Sequence, residues 1–265
     1  MATYSAEQVK KLQQDAERVG SELELLVQDG VSHAQRIADE EIRSHLKHGA
    51  SRRLNILSES VRRIFFLFPP QQERPLPRQV LVEAQIYLHA FVINLSGVFD
   101  NWAWAFILRH GLREQVGDRT NIGMFRKPTQ RLLPSLLSDY LTSESIVTWH
   151  RKYLTGYRDS LAHRIPLYIP PATWTLEDSQ LYERLDAEIA DCIRQQQFEH
   201  LDDLRNQQDA IGTASPVFVG AFSGEDASKP VFLHSQVIAD ATTVAEFGRR
   251  YYSAWHQPPP GVGRS

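Results

Sequence analysis

The sequence predicts a mainly α protein, a helical bundle with extra N-terminal helices and a small C-terminal β-hairpin followed by a last helix. Three observations predict it. Apolar residues recur at three- and four-residue steps over most of the chain. Prolines gather in short stretches, Pro69 to Pro77 and Pro166 to Pro171, and leave long tracts such as residues 1–68 and 78–127 uninterrupted. Segments that read as strands are confined to Pro216 to Ser223 and Pro230 to Ile238.

Ser5 with Gln8 three residues on matches a capping box and starts the first helix. From there Val9, Leu12, Ala16, Val19, Leu23 and Leu26 form a heptad seam. Such a helix packs lengthwise against a partner, within the chain or across a dimer. Gly30 reads as a break, and a second helix runs to about His48. A third, Ser51 to Phe68, sets Leu54, Leu57, Val61, Ile64, Phe65 and Phe68 on one face. Residues 1–76 are thus an N-terminal helical scaffold, closed by prolines at 69, 70, 75 and 77.

A second unit, residues 77–210, opens with a long helix from about Arg78 to His110. Its stretch Val80 to Leu108 is apolar enough to raise the question of a membrane. Glu83, His89, Asn94, Asp100 and Asn101 would be expensive in hydrocarbon, so the reading is a buried helix and no membrane partner. Gly111 to Thr129 follows as a polar loop, then a short helix over Thr129 to Leu141, kinked near Pro134. Thr142 with Ser145 starts a helix that passes Trp149 and Tyr153 to about His163. Pro166, Pro170 and Pro171 force an extended segment over residues 165–172. One polar amphipathic helix is expected from Glu177 or Asp178 to about Gln208, with Leu181, Leu185, Ile189, Ile193 and Leu201. The third unit, residues 211–257, holds the two strands around the turn Ser223-Gly224-Glu225-Asp226 and a helix from about Ala241 to Trp255. Residues 258–265 are expected to be a disordered tail.

Composition narrows the function. The chain has 265 residues, with 29 Lys and Arg against 32 Asp and Glu. A protein that neutralises phosphates wholesale is usually basic, so any nucleic-acid contact here must be local. Cys192 is the only cysteine, which excludes intramolecular disulfides and cysteine metal clusters and points to a reducing, cytoplasmic setting. Met1 to Glu7 lacks the basic and apolar succession of a signal peptide. No HExxH, no Walker loop and no carboxylate pair beside histidines is found, so neither a cofactor nor a metal is expected.

The run Arg158-Asp159-Ser160-Leu161-Ala162-His163 carries the chemistry, an R-x4-H arrangement at a helix end. Positions five apart on a regular helix diverge by about 140°. Arg158 and His163 therefore converge only if the helix loosens, as Pro166 promotes, or if a second subunit completes the site. Asp159 and His163 share a face, where a carboxylate can hold the imidazole in one tautomer and favour its protonated form. The helix C-terminus also favours a cationic histidine. Arg43-Ser-His-Leu-Lys-His48 has the same spacing but lies mid-helix, with serine after the arginine.

The Arg158 run resembles the signature of the HEPN superfamily (higher eukaryotes and prokaryotes nucleotide-binding). There an Arg, a polar residue and a His four to six residues after the Arg form the site. The resemblance covers roughly Arg78 to Gln208 by helix order. It implies an all-helical bundle, acting as a homodimer, and a metal-independent endoribonuclease of toxin or defence type with RNA as substrate. An antitoxin or other partner protein is a further implied partner. In such a site His163 exchanges the proton of the RNA 2′-hydroxyl and Arg158 neutralises charge developing on phosphorus. Two features depart from the family pattern: position 165 is Ile where the toxins carry Tyr, and Asp159 stands where Asn is commoner.

Asp159 is the third catalytic candidate, and Asn94, Asn101, Tyr157 and Arg164 are candidates to bind substrate. Asn94 and Asn101, seven apart, share one face of the long helix, where a buried polar residue calls for a partner. Alternatives stay open. The run also reads as a capped, salt-bridged helix end. The asparagines also read as interhelical hydrogen bonds, and the whole as a non-catalytic HEPN-like nucleotide-binding or protein-interaction module.

Overall fold

The computed structural model of the chain describes residues 4–163, 165–220 and 230–260, and of His163 the backbone alone. Helix α1, Ala6–Gln35, begins at the capping box, with Ser5 and Gln8 bonded reciprocally. Its seam buries Ala16, Val19, Leu23 and Leu26, then continues through Gly30 to Ala34. Gly30 is therefore not a break. A Cβ at this position would lie 2.6 Å from Ser51 Oγ and 2.7 Å from Tyr252 Oη, so glycine here permits close helix approach.

Asp39 caps α2, Glu40–Ser44, its carboxylate accepting from Ile42 N at 3.1 Å. The chain passes straight into a π turn, His45–Ala50, and then α3, Ser51–Leu67. Helix α4, Arg78–Arg109, is the central strut, packed against α3 and the π turn. By length and composition it could cross a membrane; here Leu88, Phe91, Leu95, Phe99, Trp102 and Phe106 fill the core.

The expected polar loop contains short turns instead: α5, Arg113–Val116, a 3-10 turn at Arg119–Asn121, and α6, Lys127–Gln130. The helix expected from Thr129 starts only at Ser135 as α7, Ser135–Thr142, because Pro134 fits a helix boundary and not its interior. Next come α8, Glu144–Trp149, a second π turn, His150–Leu154, and α9, Thr155–His163. The extended segment after it is pinned by bridges pairing Tyr168 with Val219 and Thr173 with Thr213.

The single helix expected to reach Gln208 is two. Thr175 and Asp178 form a capping box for α10, Leu176–Arg194; the chain reverses at Gln196, φ 60°, and after a 3-10 turn α11 spans Leu201–Asp209. Folding back gives the apolar stripe of α10 something to cover it. Leu185 and Ile189 are buried in this arm, outside the main core cluster. No Gly or Pro marks the reversal, which is why the periodicity read straight through it.

The hairpin strands are short. Strand β1, Val217–Phe218, pairs antiparallel with β2, Val231–Phe232, in the register Val217 with Phe232; the expected turn at 223–226 lies outside the described residues. The strand expected to reach Ile238 yields at Leu233 to α12, Leu233–Ser253, eight residues before the predicted helix start. Leu233, Val237, Ala241, Val244, Ala245, Gly248 and Tyr252 are buried at helical steps, and this burial on α1, α3 and α4 overrides the local strand propensity. One core cluster runs from Ala16 to Trp255. Trp102 sits within it, ringed by Phe99, Phe247, Tyr251 and Tyr252, its Nε1 donating to Tyr252 Oη at 3.2 Å. Residues 261–265 of the expected tail lie outside the described residues.

Candidate functional site

Arg158 stands on the accessible face of α9, its side chain about half exposed, with Nη1 3.4 Å from Asp159 Oδ1. Tyr157 points the other way: it is 2% exposed and meets Phe218 edge-on at 5.2 Å. Burial, with the charge of Asp240 and Tyr153 nearby, pushes its phenol far above the usual range. Ser160 is buried and donates to Gly156 O at 2.9 Å. The side chain of His163 and all of Arg164 lie outside the described residues. The helix keeps its form through position 163, so the loosening expected from Pro166 does not precede His163.

Asn94 and Asn101 do share a face of α4, and what joins them is a residue the sequence reading did not single out. Arg53 reaches across from α3, Nε donating to Asn101 Oδ1 at 2.9 Å and Nη1 to Asn94 Oδ1 at 3.1 Å. Asn94 Nδ2 donates to Ala90 O, and Asn101 Nδ2 lies 3.4 Å from His45 Nδ1. Two glycines make the room. A Cβ on Gly97 would sit 2.4 Å from the Arg53 guanidinium carbon, and one on Gly49 would sit 2.4 Å from Asn101 Nδ2.

Asp100 ties this cluster to Arg158. Although Asp100 is exposed on α4, enough protein surrounds its carboxyl to raise it above the ordinary carboxylate range. Arg158, Arg53 and Arg126 act on it in the opposite sense, Arg158 most strongly. Asn94, Gly97, Asp100, Asn101 and Trp104 fall within a sector of about 120° around α4. Three guanidiniums from three parts of the chain thus lie within electrostatic reach of Asp100, and Arg158 has Asp159 beside it as well. Among the described residues neither Arg53 nor Arg126 has a carboxylate within ion-pair distance.

Two histidines border the cluster. His45 stacks on Trp104 with ring centres 5.6 Å apart, and Arg113 and Arg119 approach the same indole at 5.6 and 5.2 Å. His150 stacks on Phe125 at 3.9 Å. Burial lowers both imidazoles from their ordinary value; Arg126 lowers His150 further, while Glu41 opposes the shift at His45 and Arg113 adds to it. Both rings are therefore neutral at pH 7. Among the described residues no group of three or more His, Cys, Asp or Glu side chains could share a metal ion.

No known family model matches the chain, and no curated protein or solved structure is significantly similar to it.

Proposed function

We propose that the chain is a phosphodiester-cleaving protein, a metal-independent endoribonuclease of the HEPN type working in toxin or defence, in which Arg158 and His163 serve the RNA 2′-hydroxyl attack. The observation that carries this reading is the gathering of Arg53, Arg126 and Arg158 about Asp100. A guanidinium fork binds two phosphoryl oxygens at once and stays charged at any physiological pH. Three of them beside two carboxylates, Asp100 and Asp159, still leave a surplus of positive charge where a phosphate can displace or join a carboxylate. This is local basicity on a chain of net charge −3, the only form of nucleic-acid contact its composition allows. In the reaction Arg158 neutralises charge as the pentavalent phosphorus forms, and His163, four residues past Asp159, exchanges the proton. A homodimer that sets two such runs at one cleft belongs to the same proposal.

The pairing of Arg158 with Asp159 favours a second reading. It is the capped, salt-bridged helix end, and with it the cluster is a non-catalytic nucleotide-binding or protein-interaction module. Incubation with labelled total RNA and tRNA in EDTA separates the two. The ribonuclease reading expects cleavage leaving 2′,3′-cyclic phosphate ends, reduced about 100-fold or more in Arg158→Ala and in His163→Ala. Cleavage that is equally fast in both variants, or no cleavage at all, refutes it.

A further inference from the structure

The arm formed by α10 and α11 meets the bundle across a cavity of about 440 Å³. That size suits a small-molecule site, and such sites are mostly apolar with a few placed polar groups. Leu76 and Ile211, both buried, and Leu81 on α4 supply apolar lining. Two aromatic side chains of the extended segment after α9 join them, Tyr168 47% and Trp174 40% exposed. The backbone bridges of Tyr168 to Val219 and of Thr173 to Thr213 pin this segment. Trp174 Nε1 donates to Ile211 O at 3.2 Å, and Tyr182 of α10 packs on the indole with ring centres 4.5 Å apart. Gly212, φ 92°, makes the space, since a Cβ there would lie 2.6 Å from both Thr173 O and Trp174 Cδ1. An exposed indole held this firmly is pre-organised to receive an apolar group.

The polar lining is divided by wall. On α4 it donates, through Arg78 in the first turn and Gln85, whose Oε1 accepts from Ile169 N at 3.3 Å and leaves Nε2 as a donor. On α11 it accepts, through Asp209 and Gln208, whose Nε2 donates to Asp186 Oδ1 at 3.4 Å and leaves Oε1. Arg78 and Asp209 are the two charges on the lining, both exposed at its rim. Among the described residues neither has an opposite charge within ion-pair distance, so they do not pair with each other. We infer that this cavity binds a free α-amino acid with a large apolar side chain, its carboxylate on Arg78, its ammonium on Asp209 and Gln208, and its side chain against Trp174. A guanidinium fork matches a carboxylate, and the carboxylate and amide oxygens of α11 take ammonium hydrogens. No side chain caps α4, so the dipole of its first turn adds to Arg78 on the carboxylate side. A molecule with one charge alone would meet one attractive and one repulsive partner; a zwitterion satisfies both. Arg78 and Gln85, seven residues apart, span about 10 Å along α4, room for an extended aromatic amino acid. The site is separate from the arginine cluster, since Gln85 and Asn94 stand about 13 Å apart along the helix, and the inference does not depend on the ribonuclease reading.

Titration calorimetry of the full chain with L-phenylalanine tests this, beside phenethylamine, which lacks the carboxylate, and phenylpropionate, which lacks the ammonium. L-phenylalanine is expected to bind, and each comparator to bind about 10-fold or more weakly, the factor set by one charge-assisted hydrogen bond. Arg78→Gln should weaken L-phenylalanine by the same factor and leave phenethylamine no weaker. Asp209→Asn should do the same with phenylpropionate as the ligand left no weaker. Trp174→Ala should weaken L-phenylalanine and both comparators together, because it removes the surface for the ring they share. The comparators need no variant, so a misfolded mutant cannot obscure the outcome. No heat with L-phenylalanine, L-leucine or L-tryptophan at millimolar concentration overturns the inference, as does equal binding of L-phenylalanine and either comparator. Neither result bears on RNA cleavage, which keeps its own test in Arg158→Ala.

Discussion

Replacing Asp240 by asparagine should remove the pH dependence of one part of the molecule's stability. Asp240 lies on α12, 2% exposed, accepting hydrogen bonds from Trp149 Nε1 and Gln236 Nε2, each at 2.7 Å. Burial raises its carboxyl from 3.8 to about 7, and the two hydrogen bonds only partly oppose this. A raised acid pKa means the folded protein holds the proton more tightly than the unfolded chain. The associated stability is complete below pH 4 and drains away as pH rises towards 7. At about 1.4 kcal/mol per unit the whole window amounts to about 4 kcal/mol. An asparagine side chain at this position keeps the accepting oxygen and cannot ionise, and its extra N–H costs about 1–3 kcal/mol if unpaired. Urea unfolding of both proteins at pH 4.5, 6 and 8 isolates the effect, because every other titrating group cancels in the difference. Asp240→Asn should be the weaker protein at pH 4.5. Relative to the wild type it should gain about 3 kcal/mol by pH 8. A difference that stays constant with pH, or moves the other way, refutes the reasoning.

Three further outcomes follow from the same kind of argument. His234 is fully buried, Nε2 donating to Phe68 O at 2.6 Å, and burial lowers its imidazole to about 4. Its stability contribution is present above pH 6.5 and is lost as pH falls through 4, about 3 kcal/mol in all, a loss absent from His234→Gln in acid titrations of the unfolding midpoint. Arg53→Ala removes the partner of both Asn94 and Asn101 and should cost about 1–3 kcal/mol in urea unfolding, with Arg53→Lys a poor rescue because an ammonium cannot span both carbonyls. Gly97→Ala should cost at most about 2 kcal/mol in urea unfolding, since the helix preference for alanine, about 1 kcal/mol, offsets part of the about 1–3 kcal/mol lost when the guanidinium leaves Asn94 and Asn101. By displacing the Arg53 guanidinium it should also weaken inorganic phosphate binding, read by titration calorimetry.

The helical part of the fold was legible where burial is one-sided. The seam of α1 and the long α4 announce themselves because their apolar residues face one core and recur at helical steps. The start of α12 was not legible. Val231, Phe232, Leu233, Val237 and Ile238 suit a strand locally, and only packing against α1, α3, α4 and α7 decides the matter. The reversal at Gln196 left no trace because a glutamine adopts the left-handed conformation there without the glycine that would have marked it. In the site, the shared face of Asn94 and Asn101 followed from a spacing of seven. Their partner did not. Arg53 looks like one more surface arginine until Gly97, midway between the two asparagines, is recognised as space for its guanidinium. His45 was hidden for a different reason, since a π turn has no residue signature, whereas His150, with Tyr153 and Tyr157, reads as the lining of a cleft beside Arg158 or equally as helix surface.

The α10–α11 arm changes how the whole molecule meets a charged partner. Residues 176–209 carry ten Asp and Glu against three Arg, so the rest of the chain holds 26 of the 29 Lys and Arg against 22 of the 32 acids. The net charge of −3 is the sum of a strongly negative arm and a positive remainder. Such a molecule is a dipole, and an approaching polyanion exerts a torque on it that swings the arm away and turns the arginine face forward before contact. Orientation of this kind raises the rate of productive encounter without adding a single contact, and it fades as salt shortens the reach of the field. For the RNA contact proposed above, moving acids from the arm to the remainder at constant net charge should therefore slow association at low salt.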